Sequence, residues 1–379
     1  MTEPRPVTPD TASPRFGRFF LPGPTEVRPE VLDAMRRPVI GHRGSELSAI
    51  LREIDPVLRS VFRTTRPVYV ATASATLLME AAVRNGVRRR ALGLVNGAFS
   101  GRFRDLVSDC GREVETYEVE WGQAHDPAEV KRRLCRGGFD AVTVVHSETS
   151  TGVLNPLAEI AEAVRAAETA TGEEILLLVD GVTSVGGMRV EAEAWALDFL
   201  LTGSQKALAL PPGLAFATAS ERMLRRAESI AGRGQYLDLL EYERYWQRHQ
   251  TPTTPAVHLI FALAEQMKRI EAEGGIESRA ERHWRMAEQC WAWTENVAAA
   301  RGFSLLAPHG RRSPTVTALT VPDWTSPADV VTRLGERGYS VGPGYGKLKD
   351  STIRIGHMGD HTPEGLAALL TELERITRG

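Results

Sequence analysis

A lysine and an aspartate, 26 residues apart, carry the most chemistry in this 379-residue chain. Lys206 lies in Gly203-Ser204-Gln205-Lys206-Ala207-Leu208, just after the apolar run Phe199-Leu200-Leu201, and is one of only five lysines beside 41 arginines. Arginine stays protonated, whereas a lysine amine can lose its proton and condense with an aldehyde or ketone. Asp180 ends the apolar run Ile175-Leu176-Leu177-Leu178-Val179 and is followed by small residues, so it faces a crevice. Pyridoxal phosphate needs such a pair: a carboxylate keeps the pyridine nitrogen protonated, and a lysine holds the aldehyde. Taken singly, Asp180 could cap a turn and Lys206 could be a solvated loop lysine.

Other residues add to this chemistry. Ser74-Ala75-Thr76 opens a helix, whose N-terminus offers unpaired N–H groups and a positive dipole end to a phosphate. An ordinary N-cap by Ser74 or Thr76 is the alternative. Arg354 sits among apolar residues of a strand, where an unpaired charge is costly. Either it grips a substrate carboxylate through two parallel hydrogen bonds, or it forms an internal salt bridge. His146 has no second histidine or cysteine at metal-ligand spacing, which favours a buried, hydrogen-bonded histidine.

The elements that must position these groups alternate. Apolar strand-like runs at Val68–Val70, Ala91–Val95, Ala141–Val145, Ile175–Val179 and Phe199–Leu201 are separated by amphipathic helices at Thr76–Arg84, Pro127–Cys135 and Pro156–Ala167. That alternation predicts an α/β fold with a mainly parallel sheet. A boundary is expected at Thr251-Pro252-Thr253-Thr254-Pro255, before a long helix from His258 to Ala272. Beyond it the pattern turns α+β, with strands at Val316–Val321 and Thr352–Ile355 and a closing helix at Pro363–Thr377. The expected division is a polar, disordered tail over 1–18, a large domain over 19–257, and a connecting helix with a small domain over 258–379.

Composition sets limits. With 42% hydrophobic and 25% charged residues and a net charge of -2, the chain reads as a soluble globular protein with no nucleic-acid or membrane partner. Three cysteines without paired or metal-ligand spacing make a reducing cytoplasm the default.

The order and spacing of Leu21-Pro22-Gly23-Pro24-Thr25, Gly41-His42-Arg43, Thr72-Ala73-Ser74-Ala75-Thr76, His146 to Gly152, Val179-Asp180, Gly203 to Lys206 and Ile353-Arg354-Ile355-Gly356 resemble the class V, fold type I aminotransferases of the alanine–glyoxylate and serine–pyruvate type. The resemblance implies the cofactor pyridoxal 5′-phosphate, with Lys206 and Asp180 catalytic. It implies cofactor contacts from Ser74, Ala75, Thr76, Phe99 stacked on the ring, Ser150 or else Thr151 near the 3-hydroxyl, and Gln205 at the phosphate. Thr251 and Thr254 resemble a segment that reaches the neighbouring subunit's phosphate, which implies a homodimer with shared sites. Arg354 would bind the substrate carboxylate, Gly23 would close over it, Glu148 would shape the pocket, and His42 and Arg43 would lie at its mouth. In the family, glycines usually stand where this chain has Ala73 and Ala75.

The expected reaction moves an amino group from alanine or serine to glyoxylate or pyruvate by ping-pong kinetics. Phosphoserine is the alternative donor, because a similar His-Arg pair holds its phosphate in phosphoserine aminotransferases. A cysteine-dependent lyase lacks a reactive cysteine on a loop, a dinucleotide-dependent dehydrogenase lacks its glycine-rich turn, and a regulatory module lacks room for a DNA-binding domain.

Overall fold

The structure, a computed structural model, describes residues 16–378. The stretch read as a disordered tail falls mostly in residues 1–15, outside those described.

Two sheets organise the chain. Strand β1 (Phe19–Phe20) belongs to the smaller one. The larger is built from β2 (Val68–Thr72), β3 (Arg90–Val95), β4 (Glu113–Glu118) and β5 (Ala141–Val145). A hairpin of β6 (Ser147–Glu148) and β7 (Val153–Leu154) interrupts it. It then takes β8 (Leu176–Asp180), β9 (Phe199–Gly203) and β10 (Leu214–Ala219). The seven strands lie in the order β2-β10-β9-β8-β5-β3-β4, and only β10 runs antiparallel to its neighbours. The fold is therefore α/β with a mainly parallel seven-stranded sheet. The smaller sheet adds β11 (Ser304–Leu305), β12 (Val316–Thr320), β13 (Ser340–Pro343) and β14 (Thr352–Gly356), in the order β1-β13-β14-β12-β11.

Burial explains why the central strands read so plainly. Every residue of β5, β8 and β9 is buried, because helices cover both faces of a parallel sheet and leave no polar alternation. At the edge, β4 carries Glu-Val-Glu-Thr-Tyr-Glu, half-buried at most, and was not among the expected strands. The missing β10 is apolar but follows Pro211, Pro212 and Gly213, which read as a loop.

Each crossover ends near one rim. Register pairs Val145 with Asp180 and Asp180 with Leu201, so the carboxyl ends of β5, β8 and β9 lie side by side. In such open sheets the ligand crevice lies at those ends. The core under the large sheet continues through the helix Val257–Ala272 to Ile276. A second core, with Phe20, Leu319, Ile353, Ile355 and Leu366, lies between the small sheet and the helices Gly275–Trp293, Pro327–Glu336 and Pro363–Thr377.

Candidate active site

A cavity of about 180 Å³ opens at the strand rim and is lined by Ser74, Ala75, Thr76, Phe99, Asp180, Gln205 and Lys206, all singled out from sequence. Met79, Arg102, Val145, Ser147, Thr149, Val182 and Thr183 complete the wall. Sequence reasoning passed over Val182 and Thr183, although the turn after Asp180 had to bring some of its residues to the same rim.

Asp180 is the last residue of β8, and its carboxylate accepts a 2.7 Å hydrogen bond from the Val182 N–H. Burial pushes its pKa up to about 7, with Glu148 adding to the rise and the Val182 N–H, Lys206 and Arg102 opposing it. Lys206 is also buried. Burial pulls its amine down to about 8, helped by the Arg354 charge and opposed by Asp180 and Glu148. A neutral amine is therefore within reach near physiological pH, as a nucleophile or proton acceptor requires.

Several contacts fix that amine. Lys206 Nζ donates to the Pro22 carbonyl. The next residue, Gly23, has φ +124, and a Cβ built on it would stand 2.6 Å from Lys206 Cε. Thr25 donates through its N–H to Gln205 O at 3.0 Å and through its hydroxyl to Lys206 O at 2.9 Å. On the far side the fully buried Arg279 donates Nε at 2.9 Å and Nη2 at 2.8 Å to Ala207 O. Arg279 in turn pairs with Glu273 at 2.6 Å and Asp360 at 2.9 Å.

The helix Ala75–Gly86 begins beside the cavity. Ser74 is its extended N-cap residue and makes no side-chain capping bond, so its hydroxyl is free to face a ligand with the first N–H groups of the helix. No residue from 73 to 76 has positive φ, so the alanines do not strain this turn. Phe99 is the second residue of the helix Ala98–Asp109. The buried Glu148 carboxylate holds that helix start: it accepts from the N–H groups of Phe99 (3.3 Å) and Ser100 (2.9 Å) and from the Ser100 hydroxyl (2.9 Å). A carboxylate at a helix N-terminus also suits the dipole. Glu148 thus orients the Phe99 ring, with Lys206 Nζ 6.0 Å from its centroid.

Arg354 sits mid-strand in β14 and is buried. Its Nε donates to Pro343 O at 2.9 Å and its Nη1 to Thr149 O at 3.3 Å. Among the described residues no carboxylate stands within 4.0 Å of its guanidinium, which removes the internal salt bridge as an explanation.

Other expectations need correction. The Ser150 hydroxyl does not line the cavity: it bonds Glu148 at 2.6 Å and receives the Ala98 N–H at 3.0 Å. Thr149, one residue earlier, faces the cavity and shares a 2.5 Å hydrogen bond with Thr183. His146 is buried, but instead of being hydrogen-bonded its Nδ1 has no partner and the ring packs edge-on against Trp195. Burial pulls its pKa down to about 3, so it stays neutral.

His42, Arg43, Thr251 and Thr254 form a separate cluster outside their own chain's cavity. Arg43 donates to the carbonyls of Thr251 (2.6 Å) and Pro252 (2.9 Å), the Thr251 hydroxyl turns back to Thr253 O at 2.8 Å, and Thr254 lies 3.4 Å from His42 Nε2.

An amine titrating near 8, an acid at a strand end, an uncapped helix start and an aromatic ring around one cavity fit pyridoxal phosphate. Ser74, Ala75, Thr76 and Gln205 would hold its phosphate, Phe99 would lie against its ring, and Asp180 would meet its nitrogen.

Comparison with known proteins agrees. A family model described as aminotransferase class-V matches residues 98–350. An uncharacterized aminotransferase of Methanocaldococcus jannaschii is 39% identical over 349 residues, covering 90% of this chain and 87% of that protein. A serine–glyoxylate aminotransferase of Methylorubrum extorquens is 31% identical, with 92% and 88% covered. The solved structure of an alanine–glyoxylate aminotransferase from Nostoc sp. superposes with a TM-score of 0.87 at 32% identity, covering 95% of each chain.

Proposed function

The chain belongs to the class-V aminotransferase family and is a pyridoxal-phosphate-dependent aminotransferase, and from that premise we propose that it moves an amino group from alanine or serine to glyoxylate or pyruvate by a ping-pong mechanism. The observation that carries the reading is the pairing of Lys206 with Arg354. One buried cation titrates near 8 and the other has no carboxylate of its own. Together they offer an amine-handling group and a carboxylate clamp, the two ends of an unsubstituted amino acid.

Each residue then has a task. Arg354 takes the α-carboxylate of donor and acceptor alike through its planar fork. When bound, pyridoxal phosphate supplies an aldehyde for the amino group and a ring that withdraws electrons from the α-carbon. Asp180, held among apolar strands, keeps the ring nitrogen's proton in place. Lys206 Nζ accepts the proton leaving the α-carbon and returns one on the other side of the exchange. Glu148 and Phe99 keep the floor flat and dry.

A phosphoserine donor would need a cation for its phosphate, and the His42-Arg43 pair is the one that the resemblance offers for it. The candidate, Arg43, is engaged with the Thr251 and Pro252 carbonyls instead. The reading includes a homodimer, in which the exposed Thr254 and its neighbours complete the partner's phosphate site.

The test is the visible spectrum of the protein loaded with pyridoxal phosphate, before and after L-alanine or L-serine, with oxo-acid products measured. The band bleaches and pyruvate or hydroxypyruvate appears; glyoxylate restores the band and yields glycine. Lys206→Ala abolishes both responses. An unchanged spectrum with both donors, or phosphoserine as the most efficient donor, would overturn the substrate assignment.

A further inference from the structure

We propose that Tyr345 sets the length of amino-acid side chain that the site accepts. The inference rests on the reading just given, in which Arg354 holds the carboxylate and Lys206 the amino-group end.

Two aromatic rings bridge those two cations. The Lys206 amine lies 6.0 Å from the Phe99 centroid, and Phe99 stacks on Tyr345 with centroids 5.4 Å apart and planes inclined by 21°. Tyr345 in turn lies 5.4 Å from Arg354 Cζ. An amino acid whose two polar ends are directed to Lys206 and Arg354 carries its α-carbon alongside both rings. Phe99 is already committed to the cofactor side, so a substituent longer than one or two carbons meets Tyr345.

The ring is held in place rather than carried on a swinging lid. Its loop joins β13 to β14, and Gly344 N–H donates to Thr352 O at 2.7 Å while Leu348 N–H returns to Tyr345 O at 3.2 Å. A Cβ on Gly344 would stand 2.6 Å from the Thr352 hydroxyl, and Gly346 adopts φ +57 against Trp121, 2.9 Å from where its Cβ would be. Lys347 lies 5.2 Å over the Trp121 ring and pairs with Glu118 at 3.3 Å, which ties the loop to the large domain. A preorganised wall discriminates by size better than a yielding one.

Bulk, not hydrogen bonding, does the selecting. The Tyr345 hydroxyl has no hydrogen-bond partner among the described residues, and the residue is 39% exposed. Truncating the ring therefore opens the pocket to solvent instead of leaving a core void.

The holoenzyme and its Tyr345→Ala, Tyr345→Phe and Tyr345→Trp variants are compared in two ways. The first is the ratio of kcat/KM for norvaline to that for alanine, with glyoxylate as acceptor. The second is calorimetric Kd for acetate, butanoate and hexanoate, which requires no turnover. Tyr345→Ala raises the norvaline-to-alanine ratio at least about tenfold and tightens hexanoate relative to acetate. Tyr345→Phe matches the parent and Tyr345→Trp shifts both quantities the other way. If the Ala and Trp variants leave both unchanged, or if Phe behaves like Ala, the proposal is overturned. A parent that transaminates neither alanine nor serine would refute the proposed reaction, while the carboxylate series would still decide the role of Tyr345.

Discussion

Gly23 abuts the side chain of Lys206 so closely that a Cβ would stand 2.6 Å from Cε and 2.7 Å from Nζ. A methyl group there must displace either the Pro22–Thr25 segment or the lysine, and φ +124 adds strain for any residue with a Cβ. Gly23→Ala is expected to cut kcat about a hundredfold, the scale of a 1 Å misplacement of a reacting group. Steady-state kinetics beside a melting curve check this. A variant with parental kcat would show that the segment yields and that the lysine is positioned by its other contacts.

Arg354→Lys tests the carboxylate clamp. A compact ammonium cannot reproduce two parallel hydrogen bonds, and losing one charge-assisted bond costs about 1.5–3 kcal/mol. The expected outcome is a KM raised roughly 10- to 100-fold for amino and oxo acids alike. Impairment confined to one half-reaction would contradict a shared carboxylate site.

Asp180→Asn separates stability from activity. The folded protein keeps a proton on Asp180 up to about pH 7, whereas the unfolded chain releases it near pH 4. This group's contribution therefore favours folding fully below pH 4 and is lost as pH rises to 7. Removing the carboxylate should make the cofactor-free variant more stable than its parent at pH 8, by roughly 2–4 kcal/mol, with the two converging at pH 4. Turnover should nonetheless fall by orders of magnitude with cofactor bound. Urea melts at the two pH values, read beside kinetics, check both halves; near-normal turnover would move the ring-nitrogen role to another acid.

Arg279 and Asp360 form a buried pair at 2.9 Å. Arg279→Met leaves Asp360 with Arg28, at 3.2 Å, as its remaining ion-pair partner and removes two donors from the Ala207 carbonyl, so it should destabilise by about 1–3 kcal/mol. Adding Asp360→Asn should recover part of that loss. Denaturant midpoints of the two single variants and the double variant measure the coupling, and strictly additive effects would mean that the pair does not act as a unit.

Much of the fold was legible because buried parallel strands leave uninterrupted apolar runs, and Asp180 and Lys206 stand where two of those runs stop. The helix start at Ser74 was legible for the same reason. What escaped depends on geometry that no local pattern encodes. Thr149 and Ser150 are adjacent hydroxyl residues, and only the hairpin of β6 and β7 decides which of them turns inward. The grip of Arg43 on Thr251 and Pro252 joins residues more than two hundred positions apart. Tyr345 reaches Phe99 only because one sheet is docked beside the other, and its own segment, rich in glycine and lysine, reads as an ordinary loop.

The pairing of β1 with β13 also has a consequence in time. Phe19 lies against Ser340, so the strand leading into Pro22 and Gly23 must wait for residues made more than three hundred positions later. At about 5–20 residues per second, that interval is roughly 15–60 s of translation. The large sheet has all its strands once Ala219 has been made. The lysine-bearing half of the molecule is thus available to fold on the ribosome while the strand that leads into the segment over the lysine still lacks β13, its partner in the small sheet. Catalytic competence is acquired last, when the two ends of the chain meet across the site.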